Sequence, residues 1–239
     1  MTPDLDTQLT AIEEGGRGVA ELAAGNLERP VPCCPEWDLQ ALVRHLGGVY
    51  AFVGSQVRAR SESRVPNDTP EAPEGPAVLD WYAEVHASLT ETLRAAAPDE
   101  AVWTFAGEPT AAFYHRRMMH ETTIHHHDAR AAVGEIRPID PTIAHDGLDE
   151  LFEVLYGRGG DLPSGSLHLH RTDGEGEWML NVVDGELVVT HEHGKADAAV
   201  RGPAAELLLL QWERVPLDHD RLEVFGDRDV VAGWTALSA

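Results

Sequence analysis

The sequence predicts an α+β protein, with a helical bundle followed by a small domain of strands and helices. Up to about residue 156, apolar residues recur every three or four positions, which is typical of amphipathic helices. Beyond about residue 166 they alternate, which is typical of strands. A run rich in glycine and proline separates the two patterns at residues 158–165. We therefore expect a helical domain at residues 1–160 and an α+β domain at residues 161–239.

Apolar periodicity predicts five helices in the first domain. The second is the most clearly marked, because Asp38 stands where an N-cap is expected and an apolar stripe follows it for about five turns. Residues 61–76 are rich in turn formers and predict a long connection that could border a site. The five helices are expected near residues 4–24, 38–57, 77–96, 110–133 and 146–156.

Alternating apolar residues predict a meander in the second domain, with Asp173-Gly174 and Asp184-Gly185 as turns. Further strands and two helices are expected after it. The strands are expected at residues 167–169, 178–182, 187–189, 198–200 and 222–225, and the helices at residues 203–212 and 227–237.

The charge balance excludes some classes of partner. The 239 residues carry 41 acidic and 18 basic side chains, for a formal net charge of -23, and Lys195 is the only lysine. Such a surface repels phosphate, so we expect neither nucleic acid nor an anionic membrane as a partner. The N-terminus lacks a basic and apolar signal, and no apolar run is long enough to span a membrane, which predicts a cytoplasmic protein. The adjacent Cys33 and Cys34 exclude a disulfide framework.

Two helices carry polar side chains on faces that are otherwise mostly apolar. In the fourth helix, Glu121 and His125 lie one turn apart on such a face. In the second helix, His45 follows Leu42 by three residues and precedes Val49 by four, so it shares their face. The chain has thirteen histidines, and we expect most of them to be exposed.

His45, Glu121 and His125 together favour a site for a divalent cation. A buried carboxylate needs a partner, and two imidazoles and a carboxylate satisfy one another around a metal. Three such ligands leave a tetrahedral zinc with an open fourth position, as in catalytic sites. Two alternatives remain open, namely Glu121 and His125 as a pair on a solvated face, and His45 as a core histidine bonded to a backbone carbonyl. The run from His120 to His125 does not match the zincin metalloprotease motif.

Two separated motifs resemble those of the mycothiol-dependent maleylpyruvate isomerase family, which belongs to the DinB-like metal-binding bundles. The first motif, at residues 32–47, reads PCCPEWDLQALVRHLG, and the second, at residues 121–129, reads ETTIHHHDA. The resemblance continues through residues 167–170, Trp178, residues 202–209 and residues 226–227.

The resemblance implies a DinB-like four-helix bundle at the N-terminus that holds zinc, or another divalent metal, through His45, Glu121 and His125. It also implies mycothiol as the thiol cosubstrate. In the family, the sulfur of mycothiol adds to the double bond of maleylpyruvate, the bond rotates, and elimination gives fumarylpyruvate.

The second motif departs from the family at one place. The family usually has a basic residue and then an aromatic residue where this chain has His126 and His127. Asp128, three residues after His125, would either orient a ligand or lie at the surface.

Other polar groups are assigned by their place in the chain. Arg201 and Arg214 flank the helix predicted at residues 203–212 and are candidates for binding the thiol or an anionic substrate, although a solvated arginine at a helix end is common. Cys33 and Cys34 belong to a loop that resembles the family's Cys-Pro-x-Trp pattern, so we do not assign them to catalysis. Trp37 is expected to pack at the start of the second helix.

Together with the resemblance, which implies mycothiol, these observations predict a zinc-dependent enzyme that activates this thiol for addition to an electrophilic small molecule. The reaction would be a maleylpyruvate-type cis–trans isomerisation or an S-transfer, because an open zinc position favours a thiolate in both. Two other function classes remain open. One is a non-catalytic metal-binding or regulatory bundle protein, and the other is a hydrolase in which the metal activates water.

Overall fold

The computed structural model describes residues 2–67, 69–156 and 162–235. Contacts divide the chain into two compact units, one spanning Pro3–Arg137 and the other beginning at Pro138. The boundary predicted at residue 160 lies among residues 157–161, outside the described residues. The division at Pro138 falls earlier because the helix that follows it packs against a helix of the second unit.

The described residues of the first unit form four helices, as the resemblance implies, and the predicted α+β fold class is confirmed. Helix α1 packs against α3 and α4, and α2 packs against the same two helices, so the four surround a common core. Side chains that are fully buried there include Leu42, Leu46, Tyr50, Leu89 and Met118. The helices are α1 (Leu5–Ala23), α2 (Leu39–Ala59), α3 (Ala77–Ala95) and α4 (Ala111–Val133).

Local signals in the sequence set where these helices begin and end. Asp4 and Asp38 each accept a hydrogen bond from the backbone amide three residues on, at 2.8 Å, and so cap α1 and α2. Helix α4 ends at Gly134, whose φ of 80° is the left-handed conformation that glycine adopts without steric cost. These ends agree with the predicted ranges to within about two residues.

A short loop leads into α2 and is closed by backbone hydrogen bonds. Pro30 pairs with Asp38 across an isolated bridge, and the amide of Val31 donates to the carbonyl of Trp37 at 2.9 Å. The loop therefore holds Trp37 directly in front of the first turn of α2.

The second unit begins with α5 (Pro141–Glu150), which continues into a π-helical segment at Leu151–Leu155. Apolar periodicity predicts this helix at residues 146–156, and that predicted start is too late. Asp140 accepts hydrogen bonds from the amides of Thr142 and Ile143, and Pro141 occupies the first helical position. This start signal precedes the first apolar residue of the predicted stripe, Leu148, by two turns.

A five-stranded sheet forms the rest of the second unit, in the order β3-β2-β1-β4-β5. Strands β1 and β4 pair in parallel, and the other neighbours are antiparallel. The turn predicted at Asp184-Gly185 joins β2 to β3, and both residues have the positive φ that such a hairpin requires. The strands are β1 (Leu167–Arg171), β2 (Glu177–Val183), β3 (Glu186–Thr190), β4 (Ala198–Gly202) and β5 (Glu223–Gly226).

Two helices, α6 (Ala204–Gln211) and α7 (Arg228–Thr235), pack against β1 and β4. Leu167, Leu169 and Val200 are fully buried in these strands. Both helices were predicted, and the end expected for the last one, at residue 237, lies outside the described residues.

Candidate metal centre

Helices α2 and α4 bring three side chains of the bundle together. His45 Nε2 of α2 lies 3.2 Å from Glu121 Oε1 of α4, and His125 Nε2, one turn further along α4, lies 3.3 Å from the same oxygen. Their side chains are unequally exposed, at 38% for His45, 14% for Glu121 and 10% for His125. The cluster is therefore embedded on the α4 side and reachable from solvent on the His45 side.

The remaining polar atoms of Glu121 and His125 are already engaged. Arg117, one turn before Glu121, donates from Nη2 to Glu121 Oε2. His125 Nδ1 lies 3.1 Å from Asp128 Oδ2. These contacts leave Glu121 Oε1 and His125 Nε2 as the atoms that face His45, and they fix the orientation of both side chains.

The spacing of the three donor atoms fits one divalent cation. His45 Nε2, Glu121 Oε1 and His125 Nε2 all lie within 4.8 Å of one another. Bonds of about 2.0–2.1 Å in a tetrahedral zinc site place ligand atoms about 3.3 Å apart, close to the two measured distances to Glu121. Two histidines and one carboxylate are also a donor set that zinc accepts with a fourth position open.

Electrostatics keep Glu121 charged. Burial raises the pKa of a carboxyl group, but the charge of Arg117 and hydrogen bonds from His125 and His45 together hold the pKa of Glu121 well below its ordinary value. The carboxylate therefore stays anionic, which is the form that binds a cation.

His125 is held in its protonated form. Burial lowers the pKa of this imidazole, but hydrogen bonds to Asp128 and Glu121 outweigh it and raise the pKa to about 9. At neutral pH, His125 Nε2 therefore carries a proton that forms a hydrogen bond to Glu121. A cation that binds here would have to displace this proton.

Asp128 connects this cluster to the loop before α2. It is fully buried, and Cys33 Sγ donates to its Oδ1 at 3.1 Å. Of the two roles expected for Asp128, surface residue or support for a ligand, the surface role is wrong. Cys33, Cys34 and Asp128 also have atoms within 4.8 Å of one another. The loop at residues 30–38 that carries the two cysteines (the cysteine loop) therefore lies beside the cluster.

Trp37 forms an aromatic wall beside the two histidines. Its ring centroid lies 4.8 Å from that of His45 and 5.9 Å from that of His125. Its predicted position at the start of α2 is confirmed, but the sequence pattern does not associate Trp37 with the candidate site. Nor does it single out Arg117, although a spacing of four residues before Glu121 is a signal for this contact.

The expectation that most histidines are exposed is wrong. Five of the thirteen are buried, namely His115, His120, His125, His127 and His168. Some of the others bond to the backbone, as His86 does to the carbonyl of Ile12 at 3.1 Å. Many histidines in this chain therefore serve as polar core residues.

Arg201 and Arg214 lie in the second unit, on either side of α6. Arg201 lies on β4, where its Nη1 is 3.6 Å from Glu223 Oε2. Arg214 donates to the carbonyl of Trp212 at 2.6 Å and lies over the ring of that tryptophan. Their binding of an anionic group stays a prediction.

None of the helices in the described parts of the chain is long and apolar enough to cross a membrane.

The fold is similar to that of solved enzymes. The structure of the mycothiol-dependent maleylpyruvate isomerase superposes with a TM-score of 0.63 at 14% identity, covering 94% of this chain and 95% of that one. The structure of a substitution variant of that isomerase gives a TM-score of 0.65 at 13% identity over the same shares. At these identities the likeness shows the fold alone. Among curated proteins, none matches this chain.

Two family models match consecutive parts of the sequence. The mycothiol maleylpyruvate isomerase N-terminal domain matches residues 9–130, and the MDMPI C-terminal domain matches residues 142–233. The first match covers the helices that carry the candidate cluster, and the second covers the sheet and its helices. The chain therefore belongs to the mycothiol maleylpyruvate isomerase family.

Proposed function

We propose that this protein is an enzyme that adds the sulfur of mycothiol to an electrophilic small molecule, with maleylpyruvate as the first substrate to test. The observation that carries the proposal is the convergence of His45, Glu121 and His125, with an exposed side, in a chain of this family. A thiol cosubstrate also accords with a cytoplasmic location, because thiols are kept reduced there.

The three residues would hold zinc through His45 Nε2, Glu121 Oε1 and His125 Nε2. Zinc in such a site would supply positive charge and a free coordination position, which favour thiolate over thiol. Another divalent ion is compatible with these donors, since the protein set alone does not fix the metal.

The surrounding residues prepare the cluster for this role. Asp128 accepts the Nδ1 proton of His125 and so keeps Nε2 directed at the centre. Arg117 engages one oxygen of Glu121 and leaves the other for the cation. Trp37 lies against both histidine rings and restricts their rotation.

The reaction balances without an oxidant. The thiolate forms a carbon–sulfur bond as the electron pair of the double bond moves onto the conjugated carbonyl oxygen as an enolate, and the resulting single bond rotates. Return of that electron pair breaks the carbon–sulfur bond, which restores the double bond and releases the thiolate. If the adduct is instead retained, or if sulfur opens an epoxide or displaces a leaving group, the same thiolate makes the enzyme an S-transferase. Both outcomes require the same cluster and differ in the substrate.

The test compares turnover with and without mycothiol in the zinc-loaded full chain. Conversion of maleylpyruvate to fumarylpyruvate, or a thiol adduct of an electrophile seen by mass spectrometry, should require mycothiol. Glu121→Gln should abolish it, and Glu135→Gln, an exposed site just beyond α4, is the matched control that should retain it. Turnover without thiol would indicate a hydrolase, and absence of both turnover and thiol binding would favour a non-catalytic protein.

A further inference from the structure

The sheet of the second unit carries another cluster of metal-binding residue types. It consists of His168 and His170 on β1, Glu177 on β2, and His193 in the segment that follows β3. One ligand atom from each of the four lies within 4.8 Å of the others. The cluster shares no residue with the one in the bundle and belongs to the other compact unit.

Strand geometry explains why three of these side chains meet. Side chains two apart on a strand point to the same face, so His168 and His170 share a face that Leu167 and Leu169 do not. In the antiparallel pairing of β1 with β2, His170 lies directly opposite Glu177. Cross-strand neighbours on one face are close enough for their side chains to touch.

The fourth residue comes from the chain beyond the hairpin. The β2–β3 pairing ends with Met179 opposite Thr190, and His193 follows three residues later. His191 Nδ1 lies 3.1 Å from the carbonyl oxygen of Glu177, which brings this segment back toward β2. The segment thereby places the His193 ring over the sheet face that holds the other three residues.

Three imidazoles converge on a single carboxylate. His168 Nε2 lies 3.1 Å from Glu177 Oε2, and His170 Nδ1 lies 3.0 Å from Glu177 Oε1. His193 Nδ1 lies 3.2 Å and 3.0 Å from the two oxygens. The ring centroids of the three histidines lie 5.4–6.2 Å apart, so the rings surround the carboxylate without stacking on one another.

We infer that His168, His170, Glu177 and His193 form a second site for a divalent cation, of the type that accepts imidazole and carboxylate, such as zinc. The distances to the carboxylate are close to the ligand spacing of about 3.3 Å in a tetrahedral zinc site. Four protein ligands close the coordination sphere, which is the arrangement of a structural site. The role of this cation is to fasten the segment after β3 to the sheet.

The exposure of the four residues supports this structural role. The strand side chains are 6% exposed at His168, 28% at His170 and 21% at Glu177, whereas that of His193 is 78% exposed. The strand residues are thus positioned by the sheet, and His193 is the residue that a cation would immobilise. This inference does not depend on the proposed function, because it uses none of the residues of the bundle cluster.

The first experiment is a zinc titration of the metal-free full chain by calorimetry. In Glu121→Gln, which disables the bundle cluster, we expect one equivalent to bind. Combining Glu121→Gln with His170→Ala, or with His193→Ala, should weaken that binding at least about tenfold. His219→Ala is the matched control, since it removes a histidine of the same unit that lies outside the cluster, and it should leave the one bound equivalent unchanged.

A protease supplies the second measurement. Lys195 is the only lysine, is exposed, and lies two residues after His193, so a lysine-specific protease reports on this segment alone. At free zinc about ten times the dissociation constant, cleavage of Glu121→Gln should slow about tenfold, because the bound state dominates. Adding His193→Ala should remove this protection while circular dichroism shows that the protein remains folded.

The proposal is overturned if Glu121→Gln binds no zinc, or if binding and protection persist unchanged with His193→Ala. In the first case the four residues form a hydrogen-bonded network without an ion. Neither outcome bears on the proposed function, which is tested separately by thiol-dependent turnover of the wild-type protein.

Discussion

The two histidine clusters of this protein use similar donors on different scaffolds. In the bundle, two helices present His45, Glu121 and His125, and the helix period places two of them one turn apart. In the second unit, paired strands and the segment after β3 present four donors, with His170 opposite Glu177. The helical cluster therefore has three donors, whereas the cluster on the sheet has four.

Each cluster is suited to a different task. Three donors beside a partly exposed His45 leave room for a fourth ligand from outside the protein. Four donors, one from an exposed segment, use the coordination sphere to hold the chain together. The bundle cluster is also supported by Asp128 and Arg117, which orient its donors.

The largest expected effect is at the bundle cluster. His125→Ala removes one of the three donors. It should weaken zinc binding there more than about 100-fold, because removing a residue that only supports a ligand already lowers metal affinity by up to about 100-fold. Thiol-dependent turnover should fall with it. His219→Ala, outside both clusters, is the control, and zinc stoichiometry by elemental analysis is the measurement. Unchanged stoichiometry in His125→Ala would remove this residue from the site.

The next effect concerns the sheet cluster and stability. In Glu121→Gln, zinc at about 100 times its dissociation constant should raise the free energy of unfolding by about 2.7 kcal/mol, because the ion binds only the folded state. Adding His170→Ala to Glu121→Gln should abolish this increase. His170→Ala alone should leave thiol-dependent turnover unchanged. Urea unfolding with and without zinc measures the increase in the free energy of unfolding. An equal increase in both proteins would contradict a site at His170.

A smaller effect is expected from the carboxylate that supports His125. Asp128→Asn keeps the shape of the side chain but removes the charge that raises the basicity of the imidazole, so zinc affinity at the bundle should fall about tenfold. Asp80→Asn, on the exposed side of α3, is the matched control. If both variants bind zinc with the wild-type affinity, Asp128 serves only the packing of the cysteine loop.

The smallest expected effect is at His115, a buried histidine that belongs to neither cluster. His115 donates to the carbonyl of Leu93 at 2.9 Å, and burial lowers its pKa from the ordinary 6.5. The unfolded chain then binds its proton at a higher pH than the folded chain does. The contribution of His115 to the free energy of unfolding should be fully present above about pH 6.5. It should decrease below that pH, by at most about 1.4 kcal/mol per pH unit.

Urea unfolding between pH 5 and pH 8 tests this contribution. His115→Gln keeps a donor for the carbonyl of Leu93 and should show a shallower loss of stability at low pH than the wild type. The same loss in both proteins would assign the pH dependence to other groups.

The sequence predicts the bundle cluster well because helix periodicity is short-range. His45, Glu121 and His125 are visible as polar residues on apolar faces, and the supporting Arg117 and Asp128 lie within one turn of their partners on α4. Their supporting roles depend on burial and on rotamers, which spacing does not specify. Asp128 in particular bonds to Cys33, whose approach depends on how the preceding loop closes.

The sheet cluster could not be predicted in the same way. Alternation places His168 and His170 on one face, but only the register of β1 with β2 brings Glu177 opposite His170. His193 comes from an irregular segment whose path no periodicity describes. The early start of α5 is a different case, because Asp140-Pro141 is a start signal that the sequence contains, whereas the apolar stripe begins only two turns later.

The most direct test of a thiol site in the bundle is a calorimetric titration of mycothiol into three zinc-loaded proteins: the wild type, Glu121→Gln and His170→Ala. We expect the wild type and His170→Ala to bind the thiol with similar affinity, and Glu121→Gln to bind it at least about tenfold more weakly, since the bundle cluster is the one with a free position. Equal thiol affinity in all three proteins, or loss of binding in His170→Ala alone, would show that the bundle cluster does not bind the thiol.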